Sequence, residues 1–454
     1  MSSAESFLLP ERTATAIGDL VRAVAVPYDA LPAPVRARVP VVLTDLLGVT
    51  AAGMRTPELQ ALVAAWPLPP GPHPLPGTGH RTTPETAALL AATAACSQEL
   101  DEGNKHAAGH PAAHVVFAAI AAAQQSPHPI DGRRFLGAVA GGYEVAARFG
   151  RAVRRDPAWH PHGHWGVTGA AYAAATLLGA TPAQVAAAVD AATGLMTVAP
   201  WDTVLAGDPT RNLWMGQANL AGLSAAHLAR AGLVENRGGA AAALALVGEL
   251  DPDLLVKDLG TRWLAAEGYL KQHAACSFTH AAIDLVLSLR AAGRWTPDDV
   301  ASIRVGIHSL AAPLLGRSPH SRLSAMFSLP FAVATAAVNG AVTPATMEPG
   351  TPAFDAADAF SERVTVEILD ELDAHLPGRR VCEVTVSLVD GTTLALAQPD
   401  PIGDTAHFPL DDAVLVAKLD RLLDAPGTGD RLLAALRRLP DEPDVVAALA
   451  AVVE

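Results

Sequence analysis

The sequence predicts a mainly α protein with a large all-helical domain, discontinuous in the chain, and a smaller inserted α+β domain. Three observations predict it. Alanine fills many apolar positions while aromatics make up only 5% of the residues, which suits closely approaching helices. Strand-like alternation is confined to residues of about 300–400. Amphipathic helix then returns from Leu410 to Val453. The expected division is 1–268 for the first part of the helical domain, 269–403 for the α+β unit and 404–454 for the helical return.

Taken in order, Thr13 to Met54 reads as two helices joined around Pro32-Ala33-Pro34. Val35, Val39, Val42, Leu43, Leu46 and Leu47 recur at helical spacing in the second, and Pro40 predicts a kink or a later start there. Pro67 to Gly79 is a Pro/Gly-rich loop without a strand pattern. Thr83-Pro84-Glu85 opens the next helix, with Thr83 as N-cap. A short buried helix spans His114 to Gln125, and Asp131 caps another that carries Phe135, Val139, Tyr143, Val145 and Phe149. Val167 to Leu178 is helical, and Thr181-Pro182-Ala183-Gln184 is a capping box whose helix runs to about Gly194. Arg211-Asn212-Leu213 enters a small-residue helix ending near Gly232. In the α+β region, a helix from Ala281 to Ala291 precedes a capped turn at Thr296-Pro297-Asp298-Asp299. Ile303, Val305 and Ile307 mark one strand, and Val364, Val366 and Ile368 a second. Val381 to Leu388 and Thr392 to Ala397, joined through Asp390-Gly391, read as a hairpin with a type I′ turn. Between them, Ser328-Leu329-Pro330-Phe331 opens an apolar helix through Val338.

Composition narrows the function. A net charge of −14 argues against a nucleic-acid partner, which would want a basic stripe. With half of the residues hydrophobic and 17% charged, a large core is expected rather than disorder. Cys96, Cys276 and Cys382 are odd in number and widely spaced, so neither a disulfide framework nor a zinc site is indicated. Met1 to Arg12 has no signal-peptide pattern, and the alanine-rich runs read as too interrupted to span a membrane. A soluble cytoplasmic protein is expected. Lysine is rare: only Lys105, Lys257, Lys271 and Lys418 occur, and an amine that can lose its proton is one reason to retain one.

The stretch Leu100-Asp101-Glu102-Gly103-Asn104-Lys105-His106-Ala107-Ala108-Gly109-His110-Pro111 packs carboxylates, an amide, a lysine and histidines between two alanine-rich helices. Such an island is either a rigid loop at a cavity or a solvated connection. Trp159-His160-Pro161-His162-Gly163-His164-Trp165-Gly166 sets three histidines at alternate positions. No further ligands or supporting partners for a metal accompany them, so one or two of them facing the cavity of His110 is the preferred reading. Arg211 stands where a guanidinium could clamp a carboxylate. Tyr269-Leu270-Lys271-Gln272-His273-Ala274-Ala275-Cys276-Ser277-Phe278-Thr279-His280 leads into the α+β unit.

Together, and in this order, these segments resemble the MmgE/PrpD family, which includes 2-methylcitrate dehydratase, cis-aconitate decarboxylase and an iminodisuccinate epimerase. The resemblance covers nearly the whole chain, with Phe327-Ser328-Leu329-Pro330-Phe331 and the Asp390-Gly391 hairpin adding to it. It implies a helical domain with a smaller α+β lid, a homodimer, and an active site between the domains that uses neither metal nor organic cofactor. Asp101, His110, His160 and Lys271 fall on what look like the family's catalytic positions, and Arg211 falls where relatives have lysine. Lys105, His106, Cys276, Ser277, His280 and Phe331 would line the substrate site. The run Glu102 to Lys105, Cys276 in place of histidine and Phe331 in place of tyrosine depart from the decarboxylases and argue against that reaction.

The residue types suit removal of water from a hydroxy acid. A base must take the carbon-bound proton, an acid must assist the leaving hydroxyl, and cations must hold carboxylates. His110 and His160 are expected to share proton transfer, Lys271 and Arg211 to bind a small carboxylate substrate, and Asp101 to orient a histidine or Lys105 or to act as the base. An epimerase using the same proton abstraction, and a noncatalytic binder on the same fold, are the alternatives.

Overall fold

Prolines and short polar residues stand where the helices begin, and the backbone follows them. The structure, a computed structural model, describes residues 3–293, 295–317 and 319–453. Thr83 accepts the Thr86 N–H at the head of Pro84–Ala95, and Asp131 accepts the Arg134 N–H at the head of Gly132–Ala152. Thr181 and Gln184 form the reciprocal capping box of Pro182–Ala192. The first helix starts earlier than the apolar pattern implies, spanning Ser3–Val24. The second, Ala33–Met54, passes through Pro40 without a break. The Arg36 carbonyl, which Pro40 deprives of its usual helical donor, instead receives the Tyr28 hydroxyl at 3.4 Å. This helix is long and apolar enough to cross a bilayer, contrary to expectation, but 83% of its apolar window is buried inside the molecule.

The helix Gly166–Leu177 lies at the centre of the helical part, against Pro111–Gln125, Gly132–Ala152, Pro182–Ala192 and Thr210–Arg230. Small side chains set the separations. A Cβ on Gly169 would stand 2.3 Å from the Gly142 carbonyl oxygen, and one on Gly222 would stand 2.3 Å from Ala170 Cβ. After the sheet region, helices Asp412–Leu423 and Thr428–Arg438 return Leu415, Leu419, Leu432 and Leu436 to the core that holds Val42, Leu43 and Leu46.

The C-terminal region builds a second core on a four-stranded mixed sheet. Its order is Thr393–Gln398, Cys382–Leu388, Val300–Ile307 and Val364–Ile368, with the last pair parallel and the others antiparallel. Helices Leu329–Asn339 and Pro352–Ser361 carry the chain between the two parallel strands. Leu100, Trp201 and Trp214 of the helical part reach into this second core. The hairpin forms where expected, but not through a type I′ turn. Only Gly391 has a left-handed φ (89°), so the loop is Val389-Asp390-Gly391, closed by Gly391 N–H to Leu388 O at 3.0 Å. A type I′ turn needs positive φ at both central residues, and Asp390 does not supply it. The Pro/Gly-rich loop also differs from expectation: His73–Pro74 and Arg81–Thr82 form a short antiparallel ladder.

The C-terminal return is pinned to the polar island by one amine. Lys418 Nζ donates to Asp45 Oδ1 at 2.5 Å and to the Leu100 carbonyl at 2.8 Å, with all three groups buried. Removing one member of such a pair strands a buried charge. Lys418→Met should therefore cost about 3–5 kcal/mol in urea unfolding, and adding Asp45→Leu should recover most of that loss.

Candidate active site

The polar island is a buried wall and not a solvated connection: Asp101, Glu102 and Asn104 are all 0% exposed. Asn104 shapes it. Its Oδ1 accepts the His106 and Ala107 N–H groups at 3.0 and 3.2 Å, and its backbone exchanges hydrogen bonds with Gly109 at 2.8 and 3.3 Å. Gly103–Asn104 also pairs antiparallel with Gly268–Tyr269. That two-residue ladder carries Lys271, far away in sequence, to the start of the island.

There Lys271 meets Glu99, a residue the sequence reading did not single out. Glu99 has a left-handed backbone (φ 54°), uncommon for a bulky residue. The conformation turns its carboxylate between two cations: Oε1 contacts Arg211 Nη2, and Oε2 accepts from Lys271 Nζ at 2.9 Å. Burial raises its pKa, but Arg211 and Lys271 overcome that and hold Glu99 below the usual range. Lys271 Nζ lies 3.8 Å from Asp101 Oδ1, and Asp101 Oδ2 lies 3.1 Å from His110 Nδ1. Burial opposes the charge on Asp101, yet His110 and Lys271 keep it ionised well below the ordinary carboxylate range. Arg211 Nη1 donates to the Cys96 carbonyl and Asn212 Oδ1 at 2.9 and 3.0 Å. The two cations expected to hold substrate are thus already engaged by the protein.

Hydrogen bonds set the histidine tautomers. His110 Nδ1 faces only acceptors, the Glu102 carbonyl at 2.7 Å and Asp101, so it carries the proton and Nε2 keeps a lone pair. His160 is opposite. Its Nδ1 accepts the His162 N–H at 3.3 Å, which leaves the proton on Nε2. Burial, reinforced by Arg211, holds His160 and His162 neutral, with pKa values well below the usual imidazole range. The His162 ring lies between them, 5.1 Å from His110 and 4.4 Å from His160. The alternate histidines do not aim at one point: His162 Nε2 turns to Arg211, and both nitrogens of His164 are buried without a hydrogen-bond partner among the described residues.

His110, His160, Glu99 and Arg211 line a cavity with Arg155, Trp201, Tyr269, Cys276, Ser277 and Phe327. Both parts of the fold contribute walls. The cavity is small, with room for about one or two waters. A separate groove lined by Leu47, Pro74, Phe117 and Val445 has no titratable wall and offers no such chemistry.

Of the residues expected at the site, His110, His160, Arg211, Cys276 and Ser277 share this cavity, with Asp101 and Lys271 directly behind it. Burial pushes the Cys276 thiol up to about 11, away from nucleophile chemistry. Four others lie elsewhere. Lys105 pairs with Asp400 and Asp404 at 3.2 and 3.0 Å, because the island turns it toward the 400–407 segment. That segment's Asp400, Asp404 and His407 are close enough together to hold a cation, and the Lys105 ammonium sits on both carboxylates. His106 contacts Glu267 and Arg262 at 2.9 and 3.1 Å. His280 Nε2 turns to the Ala275 carbonyl at 3.0 Å. Phe331 packs on Phe354 at 4.6 Å in the second core, while Phe327, at the end of the preceding short helix Arg322–Met326, faces the cavity. Tyr269 and Phe327 stand within recognised segments, but no sequence signal marks Trp201 or the left-handed Glu99.

Neutral buried histidines make the fold acid-sensitive. Burial lowers His114 to about 4 and His164 to about 3, and it holds His160, His162 and His280 well below the usual imidazole range. The unfolded chain takes up these protons near pH 6.5 and the native state does not, so stability is lost as pH falls from there toward the folded values. Glu102, pushed up by burial to about 7, has the opposite sign and loses stability as pH rises from about 4.5 to 7. At about 2 kcal/mol per histidine at pH 5, several histidines outweigh one carboxyl. Urea unfolding should show a net loss between pH 7.5 and 5, and His164→Leu should recover about 2 kcal/mol of it.

Comparison with known families agrees with this architecture. The MmgE/PrpD N-terminal domain profile matches residues 20–238, and the MmgE/PrpD C-terminal domain profile matches residues 273–436. No curated protein matches the chain. Two matches in the expected order, one ending before and one beginning just after the Lys271 loop, cover most of the sequence: the chain belongs to the MmgE/PrpD family.

Proposed function

We propose that this protein is a lyase of the dehydratase kind that removes water from, or adds it to, a small hydroxy acid by histidine acid–base chemistry. The observation that carries the reading is the pair of opposed tautomers on one cavity, a lone pair on His110 Nε2 and a proton on His160 Nε2. His110 takes the proton from the carbon beside the substrate carboxyl. Asp101, ionised and 3.1 Å from Nδ1, stabilises the imidazolium that forms. His160 remains neutral and donates its N–H to the oxygen on which charge develops, in a water-poor site where such a bond is strong. The imidazolium then supplies the proton that the departing hydroxyl needs. The α+β part acts as the movable wall, since Tyr269 to Phe278 and Phe327 close the cavity from that side.

The same two imidazoles also suit removal and return of a proton at one carbon, so an epimerase is the second reading. Proton NMR in D₂O with citrate, 2-methylcitrate, cis-aconitate and tartrate separates them. Appearance or loss of a vinylic signal marks the lyase, deuterium uptake with inversion marks the epimerase, and binding without exchange marks a noncatalytic relative. His110→Ala should lower turnover by about 10³-fold, and Asp101→Asn by about 10²-fold with little change in KM, because Asp101 acts through His110. Full activity in His110→Ala would remove the basis of this reading.

A further inference from the structure

With Arg211 and Lys271 held by Glu99, the molecule needs another group to receive a carboxylate, and at the back of the cavity wall Arg380 is a buried guanidinium without an acid partner among the described residues. Arg380 is 3% exposed and lies over the rings of Tyr269 and Phe278, 5.3 and 5.1 Å from their centroids. Its Nη1 donates to Ser277 Oγ at 3.2 Å, while its buried Nε and Nη2 have no partner among the described residues. Tyr269, Ser277 and Phe278 all line the cavity, so Arg380 stands immediately behind that wall. Asp400 accepts only the Arg380 backbone N–H, at 3.1 Å, and its other oxygen is taken by Lys105 and His407.

The other buried cations contrast with it. Arg148 is paired with Glu144, Lys418 with Asp45, and Lys105 with Asp400 and Asp404. Arg38, which forms no ion pair among the described residues, has the Glu102 carboxyl as its charged neighbour. On the opposite wall, Arg155 donates to the Trp159 carbonyl, and Asp156 beside it turns its carboxylate to the Ala158 N–H at 2.8 Å. Arg155 and Ala108 belong both to the cavity and to a wider cleft that includes Leu376 and Pro377, so Arg155 marks the passage between them. A buried guanidinium without a counter-charge is costly, and its paired N–H groups match a carboxylate.

We propose that the substrate carboxylate is bound by Arg380, with Ser277 beside it and Arg155 at the passage, and not by Arg211 and Lys271. The identity of the ligand as substrate rests on the proton-transfer reading above; the anion site itself does not. In such a complex the carboxylate lies on the Ser277 side and the acidic carbon is directed toward His110. Glu99 then acts as a built-in occupant of the inner cation pair, excluding a carboxylate from that position.

Arg380→Met tests this, because it preserves bulk against the two rings and removes only the charge and donors. In calorimetry with citrate, malate and tartrate, the wild type should bind at least one acid, and Arg380→Met should bind it at least tenfold more weakly. Its ligand-free Tm should be unchanged or higher, whereas an arginine kept for structure alone would lower Tm when removed. Arg155→Gln, nearer solvent, should also weaken binding and serves if Arg380→Met does not fold. Arg211→Lys should leave the affinity within about threefold. Equal affinity in wild type and Arg380→Met, a tenfold loss in Arg211→Lys alone, or no heat from any acid with the wild type would overturn the proposal. His110→Ala keeps the two ideas apart: retained binding with lost deuterium exchange supports both, and retained exchange sinks the proton-transfer reading while leaving the anion site standing.

Discussion

The arrangement depends on one carboxylate in a strained backbone. Glu99 joins Arg211, at the head of one helix, to Lys271, on the loop that enters the α+β part. Two cations buried this deeply are tolerated only with a counter-charge, and breaking either pair would strand the other partner in low dielectric. The left-handed φ of Glu99 is the local cost of aiming its side chain between them. Lys271, so placed, approaches Asp101, and Asp101 in turn meets His110. The proton on His110 Nδ1 is therefore set by a chain of contacts that starts three side chains away.

The same burial decides how the histidines act. In water an imidazole exchanges its two tautomers freely; here His110 and His160 each have one nitrogen engaged by backbone, so the other has a defined role. Burial and the positive charge on Arg211 both disfavour imidazolium at His160. The proposed acid–base role and the acid sensitivity are thus two readings of one property, the burial of a histidine-rich wall.

Local signals were legible where local physics governs. The caps at Thr83, Asp131 and Thr181 and the strand alternation at Ile303 to Ile307 involve neighbours within a few residues, and each element formed there. Where a distant group intervened, sequence reasoning failed. The helix does not start later at Pro40, and the Tyr28 hydroxyl supplies a donor to the Arg36 carbonyl there. Phe327 ends one short helix and Phe331 lies in the next, beyond the Ser328 cap, so Phe327 faces the cavity while Phe331 packs on Phe354. Lys105 and Lys271 looked alike as scarce lysines, yet Asp400 and Asp404 claim one and Glu99 the other.

The sequence by itself determined a mainly helical chain with a late mixed sheet, the family, and the two segments that carry His110 and His160. Apolar period, caps and ordered motifs are written in adjacent residues, so a linear reading reaches them. Only the tertiary structure decided that Glu99 neutralises the inner cations, which imidazole nitrogen holds each proton, and that Arg380 stands behind Ser277 without an ion pair among the described residues. Charge pairing and tautomer choice depend on distances between residues as many as 373 positions apart, such as Lys418 and Asp45, and on the burial around them. Those quantities come into being only when the chain folds.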